Sequence, residues 1–221
     1  MFDHEGNAVP FRSTGRYFHI LTGRAGADGA ERLLTLNRSH GPAVTAYSPD
    51  PTPESPAWVW GFPFPVWSHE LSEPPAGFVV ADMNADGIEE IVVAESGGEI
   101  YCLKEEGSYP LDTAQLSETW RINVRETLAA ISTGTNPQRL RMVAAVLNGK
   151  GRHVAILSSG TLFVIGGDGT PLVRRELTHK AGTPVGAADL DGKGIESLLV
   201  GEAEMARWSS RDGFVVAYDL E

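Results

Sequence analysis

Short apolar runs recur along the chain, separated by glycine, proline and acidic residues. Phe78-Val79-Val80-Ala81, Ile91-Val92-Val93 and Ile100-Tyr101-Cys102-Leu103 are apolar at consecutive positions. Runs of this kind predict strands buried on both faces, because a sheet with one wet face would alternate strictly. The pattern comes round four times. The first unit predicts strands at 18–21, 33–36, 43–47 and 58–62, with 63–75 a proline-rich connector. The second predicts strands at 78–81, 90–94, 99–103 and 119–124, with turns at Ser96-Gly97-Gly98 and Glu105-Glu106-Gly107. The third predicts 142–146, 153–157, 161–165 and 172–177, and the fourth 185–188, 197–201 and 214–218.

One glycine marks the same loop position in each unit: Gly29, Gly87, Gly151 and Gly194. A spacing of roughly 40–60 residues with four strands per unit is that of β-propeller blades. Each blade alone exposes an apolar face that its neighbours cover. The expected fold is therefore all-β, about four blades of four antiparallel strands in a single, partial propeller domain over residues 1–221. The repeats span 17–67, 77–124, 141–177 and 184–221. Residues 1–12 read as the end of a preceding blade, since Phe2-Asp3-His4-Glu5-Gly6-Asn7 resembles Ile165-Gly166-Gly167-Asp168-Gly169-Thr170. Two architectures compete. The chain is part of a larger propeller, or a strand near Ala8 to Arg12 completes the fourth repeat and closes a four-bladed ring. The strand end at the N-terminus favours the first. Incomplete blade edges would then favour self-association.

The chemistry concentrates in the second repeat. Asp82, Asn84 and Asp86 sit at alternate positions, Gly87 is next, and Glu90 comes three residues after it. With the Ile88 carbonyl, these are hard oxygen ligands at positions 1, 3, 5, 7 and 9 of a calcium loop, and glycine at 6 makes the sharp turn. A structural calcium ion is expected here, against the plainer alternative of a solvated acidic turn capped by its own side chains. The next residues, Ile91-Val92-Val93, are β-branched, so the loop leads into a strand and not into the helix of an EF-hand. The fourth repeat offers a weaker second site, Asp189 and Asp191, because Lys193 takes position 5 and Ser197 position 9. A lysine ammonium there replaces a cation's charge internally. The third repeat has Val146 and Lys150 at positions 1 and 5, and the first has Arg24 and Gly26 at 1 and 3, so an Arg24–Asp28 contact is expected in place of a metal.

Charge narrows the partners. The net charge is −11, which disfavours nucleic acid, whose phosphates need clustered Lys and Arg. No apolar run approaches the ~18 residues of a membrane span, and no signal peptide is visible at Met1 to Asn7. The single cysteine, Cys102, falls in an apolar strand and reads as a small buried residue.

No catalytic carrier stands out. The histidines have no metal-ligand spacing and no nucleophile elbow is present. The pairs Glu89/Glu90 and Glu105/Glu106 have the chemistry for acid–base work but read as solvated surface turns. Trp58, Trp60, Phe62, Phe64 and Trp67 suit either a platform for sugars or Pro-rich peptides, or filling between the first two blades, and filling is favoured. Trp208 is a further candidate for an exposed aromatic.

The Asp82-x-Asn84-x-Asp86-Gly87-x-x-Glu90 loop, followed by Ile-Val-Val and Gly-Gly-Glu-Ile-Tyr, resembles the FG-GAP/VCBS group of β-propeller repeats. Gly160 to Ile165 with Gly167-Asp168-Gly169 also resembles quinoprotein-type propeller repeats. The resemblance implies loops that bind calcium and an extracellular or periplasmic setting. It implies a non-catalytic, calcium-stabilised binding or scaffold module with a protein or carbohydrate ligand. The alternatives it carries are the propeller portion of a secreted, lyase-like polysaccharide enzyme, and a quinoprotein-like propeller.

Overall fold

Proline placement shows how the strands are laid out. The structure, a computed structural model, describes residues 17–27, 29–37, 41–47, 65–106, 115–123, 141–147, 152–158, 161–176, 183–203 and 213–218. Among them are fifteen strands and no helix. Blade one comprises β1 (Tyr17–Gly23), β2 (Arg32–Asn37), β3 (Ala43–Tyr47) and β4 (Pro65–Glu70). Blade two comprises β5 (Pro75–Ala81), β6 (Glu90–Glu95), β7 (Glu99–Glu106) and β8 (Gln115–Asn123). Blade three comprises β9 (Arg141–Ala145), β10 (His153–Ser158), β11 (Thr161–Gly166) and β12 (Pro171–Glu176). Blade four contributes β13 (Thr183–Ala188), β14 (Ser197–Ala203) and β15 (Gly213–Tyr218). Pro65, Pro75 and Pro171 each open a strand, and β4 and β12 are edge strands, so the missing N–H interrupts no ladder.

Each sheet is an antiparallel meander in chain order. The four sheets succeed one another in a ring that resembles a four-bladed β-propeller. The first strand of each blade packs against the first strand of the next: β1 on β5, β5 on β9, β9 on β13.

Three apolar cores join consecutive blades, and strand parity sorts side chains between them. In blade two, Ile91, Val93, Tyr101 and Leu103 pack with Leu34, Leu36, Val44 and Trp67 of blade one. The intervening Val92, Ala94, Ile100 and Cys102 pack with Val154, Ile156, Phe163 and Ile165 of blade three. Blade three repeats the division: Ala155, Leu157, Leu162 and Val164 turn to Leu198, Val200 and Tyr218 of blade four. Every residue of β6 is buried, which explains the unbroken apolar run. A fully buried Val, Leu or Ile contributes about 1.5–3 kcal/mol.

Three expectations change. The fourth strand expected at 58–62 lies outside the described residues, and β4 instead occupies Pro65–Glu70 within the stretch read as a connector. Its proline sits at the strand's first residue, a position that tolerates it. The turn expected at Glu105-Glu106-Gly107 is strand through Glu106. Glu90 and Glu105 are also not solvated surface acids, being 1% and 3% exposed; each is buried against polar partners. Asp28 of the expected Arg24–Asp28 contact lies outside the described residues, as do Trp58, Trp60, Phe62, Phe64 and Trp208.

Candidate functional site

The β5–β6 loop begins where Ala81 ends its strand and closes where Glu90 starts the next. It is wound by short side-chain-to-backbone bonds. Asp82 accepts the N–H of Asp86 on Oδ1 (3.1 Å) and that of Gly87 on Oδ2 (2.9 Å). Asn84 Oδ1 accepts the Asp86 N–H at 2.9 Å, and Asp86 Oδ1 accepts the Ile88 N–H at 2.9 Å. Such Asx bonds let the chain reverse without a ladder. The backbone turns left-handed at Ala85 (φ 63°) and Gly87 (φ 86°). At Gly87 this is the conformation that glycine adopts without steric cost; Ala85 carries a strain of about 1–2 kcal/mol.

Two oxygens are left pointing away from the loop backbone, Asp86 Oδ2 and Glu90 Oε1. The Asn84 amide donates to both, at 3.1 and 2.9 Å. Lys104, on β7, brings its ammonium between them. It donates to Asp86 Oδ2 and lies 3.5 Å from Glu90 Oε1. Glu90 Oε2 accepts the Met83 N–H at 2.8 Å.

Electrostatics follow from these contacts. The Lys104 hydrogen bond, then the Ile88 N–H, hold the Asp86 carboxyl below its ordinary range. The same bond to Asp86 raises the Lys104 ammonium. Burial pushes Glu90 up, opposed by the Met83 N–H and by Lys104.

The donor chemistry of this loop fits a hard divalent cation: three carboxylates and an amide oxygen on one short turn. Asp82, Asn84, Asp86 and Glu90 would hold it, and Ile88 enters the present hydrogen bonds through its N–H. Among the described residues, however, no three acidic, histidine or cysteine side chains are gathered closely enough to hold a metal ion. Asp82 is engaged by backbone N–H groups, while Asp86 and Glu90 face Lys104. Positive charge is thus already present where the two outward oxygens converge.

The β13–β14 loop is wound in the same way. Asp189 accepts N–H groups from Gly192 (2.7 Å), Lys193 (3.1 Å) and Gly194 (2.7 Å). The bond from Gly194 comes first among the causes that hold the Asp189 carboxyl low. Lys193 also gives its N–H to Asp191 Oδ1 and its ammonium to Asp191 Oδ2, at 3.1 and 2.6 Å. The weaker pair Asp189 and Asp191 therefore shares the scaffold of the first loop and again carries a lysine.

Both loops are fastened to the preceding blade. Glu89 gives its N–H to the Arg24 carbonyl (3.1 Å) and accepts the Arg24 N–H on its carboxylate (2.6 Å). Glu196 does the same with Val146, at 2.7 and 2.6 Å. On the other side, Trp120 donates Nε1–H to the Gly167 carbonyl at 2.8 Å. A Cβ at Gly167 would stand 2.2 Å from the Met83 carbonyl oxygen, so blade three meets the loop backbone directly.

Two buried polar clusters lie on the seam of blades one and two. Glu105 accepts the Arg32 guanidinium on both oxygens (2.7 and 3.1 Å) and the Trp67 indole N–H at 2.7 Å. Trp67 is therefore interblade filling, with its polar edge satisfied. Tyr101 donates its hydroxyl to Glu95 Oε1 at 2.9 Å, beneath the Arg121 guanidinium 4.7 Å from its ring. Burial, then Arg121, lowers the neighbouring His69. Cys102 is fully buried, and burial pushes its thiol up to about 11. A depression of about 280 Å³ at the end of blade one is lined by Pro42, Thr45, Ser68, Glu70 and Leu71; it contains neither histidine nor cysteine.

Reading by sequence missed Lys104, Glu89 and the Glu105 cluster. A signal for Lys104 was available. The Ser96-Gly97-Gly98 hairpin sets Ile91 opposite Leu103, and one step further the antiparallel register puts Lys104 opposite Glu90.

No family model matches the chain, and no curated protein matches it. Among solved structures, the chain is similar to BBS1N in the "crystal structure of BBS1N in complex with ARL6DN, soaked with mercury", with a TM-score of 0.53 and 14% identity. The match covers 86% of this chain and 49% of that one, so this chain spans about half the length of that neighbour. At this identity the likeness establishes the fold alone, a β-propeller. No helix among the described residues is long and apolar enough to cross a membrane.

Proposed function

We propose that this chain is a non-catalytic β-propeller module that binds or scaffolds another protein, with calcium stiffening the 82–90 loop. The observation that carries the reading is the loop's mounting. Its acidic turn is tied to blade one through Glu89–Arg24 and pressed against blade three at Gly167–Met83. Such bracing keeps a surface in shape before a partner arrives, which lowers the ordering cost of association. The propeller BBS1N, solved in complex with ARL6DN, supports a protein partner over a carbohydrate. Calcium would be held by Asp82, Asn84, Asp86 and Glu90; it supplies charge neutralisation and cross-linking of the turn, and the chain supplies the geometry.

A thermal melt in calcium and in chelator, on wild type and Asp86→Ala, tests the metal. At free calcium about 100 times Kd, linkage gives roughly 2.7 kcal/mol, in wild type only. A glycan array and an absorbance assay for unsaturated sugar products test the remainder. A specific glycan bound, or product formed, would overturn the non-catalytic, protein-binding reading.

A further inference from the structure

We propose that Lys104 is the built-in rival of the divalent cation in the 82–90 loop, so that calcium enters only by displacing its ammonium. The inference rests on the calcium reading of the same loop and adds the residue that sets its affinity. Three observations support it. The ammonium sits on the two loop oxygens that no backbone N–H engages, Asp86 Oδ2 and Glu90 Oε1. Lys104 comes from β7, a strand fixed by the buried hairpin, so it is held at the site independently of the loop. The β13–β14 loop, wound by the same bonds, also has a lysine ammonium on a carboxylate, there at loop position 5.

An ammonium and a calcium ion cannot share these oxygens. Calcium seeks several oxygens at about 2.3–2.6 Å, and a second cation within that radius is repelled. With Lys104 in place the loop is closed by an internal single charge. With calcium in place the lysine must swing out to solvent, which its partly exposed, flexible stem allows (22% exposed). The loop thus has two closed forms, and Lys104 lowers the apparent calcium affinity by the occupancy of the first.

The experiment is calorimetric titration of calcium chloride into wild type, Lys104→Met and Lys104→Arg, with parallel melts in chelator. Lys104→Met is expected to tighten calcium binding at least ten-fold and to melt lower than wild type in chelator, recovering with calcium. Lys104→Arg, which keeps the charge, is expected to retain the wild-type response. Lys104→Gln repeats the test should the methionine variant fail to fold. Equal Kd in wild type and both neutral variants overturns the rivalry while leaving the calcium site standing. No binding in any variant overturns the rivalry and the calcium reading together.

Discussion

Glu89 and Arg24 exchange two hydrogen bonds across a blade seam, the Glu89 N–H donating to the Arg24 carbonyl and the Arg24 N–H donating to the Glu89 carboxylate. Glu196 and Val146 repeat the exchange two blades later. The glutamate lies two residues past the loop glycine in both cases, and its partner is the first loop residue of the preceding blade. In blade three the same position holds His153, which is buried and whose Nδ1 has no partner among the described residues. Glu89→Ala should therefore destabilise by about 1 kcal/mol, a charge-assisted bond discounted for its exposure. Amide exchange at Arg24 should quicken. Glu196→Ala should do likewise at Val146, with the two costs adding to within about 0.5 kcal/mol because the seams are separate.

Glu105→Gln attacks the buried pair between blades one and two. It removes the carboxylate that accepts the Arg32 guanidinium on both oxygens, at a site where Arg32 is 4% exposed. A cost of about 3–5 kcal/mol is expected in denaturant unfolding. Trp67→Phe, which removes only the indole N–H donor and some packing, should cost less.

Gly167→Ala tests the contact between blade three and the acidic loop. The added methyl would meet the Met83 carbonyl oxygen, an atom of the backbone that has no rotamer to yield. A destabilisation of about 1–3 kcal/mol is expected. Amide shifts at Met83 and Asn84 should change more than those in blade four.

The Lys104–Asp86 contact has a definite pH signature. A carboxylate held low contributes stability above its unfolded pKa of about 3.9 and loses it as pH falls through the lower folded value. A raised lysine contributes below about pH 10.4 and loses it as pH rises through the folded value. Glu90, pushed up by burial, acts in the opposite sense to Asp86. It favours the folded state below about pH 4.3 and loses that advantage as pH rises through its folded value. The acid-side stability difference between wild type and Lys104→Met should thus narrow as Asp86 becomes protonated. A difference constant down to about pH 2 would remove Asp86 as the partner.

Cys102 should resist thiol reagents at neutral pH in the native state, being fully buried with its thiol raised to about 11. Modification should appear only in denaturant. A native rate matching the denatured one would mean that blade two opens locally.

The blades were legible because consecutive apolar residues leave few other arrangements. Ile91-Val92-Val93 needs cover on both faces, and a propeller supplies it. The acidic turn was legible from Asp82, Asn84, Asp86 and Gly87 because its winding is local. The features that escaped were set by partners distant in sequence. Glu89 acquires its role from Arg24, and Glu105 from Arg32 and Trp67. Neighbouring glutamates look alike along a chain; only the strand register tells that Glu90 and Glu105 turn inward. The misplaced fourth strand of blade one has a different cause. Proline reads as a strand breaker at Pro65, yet an edge strand's first residue tolerates it.

The division of labour by parity in β6 and β7 has a practical corollary. Neighbouring residues on one strand belong to different joints of the molecule, so a substitution at Val93 loosens the hinge with blade one while one at Val92 loosens the hinge with blade three. Each articulation can be softened or tightened by itself from a single strand. Stiffness around the ring is therefore adjustable joint by joint, without altering the strand ladders that define the blades.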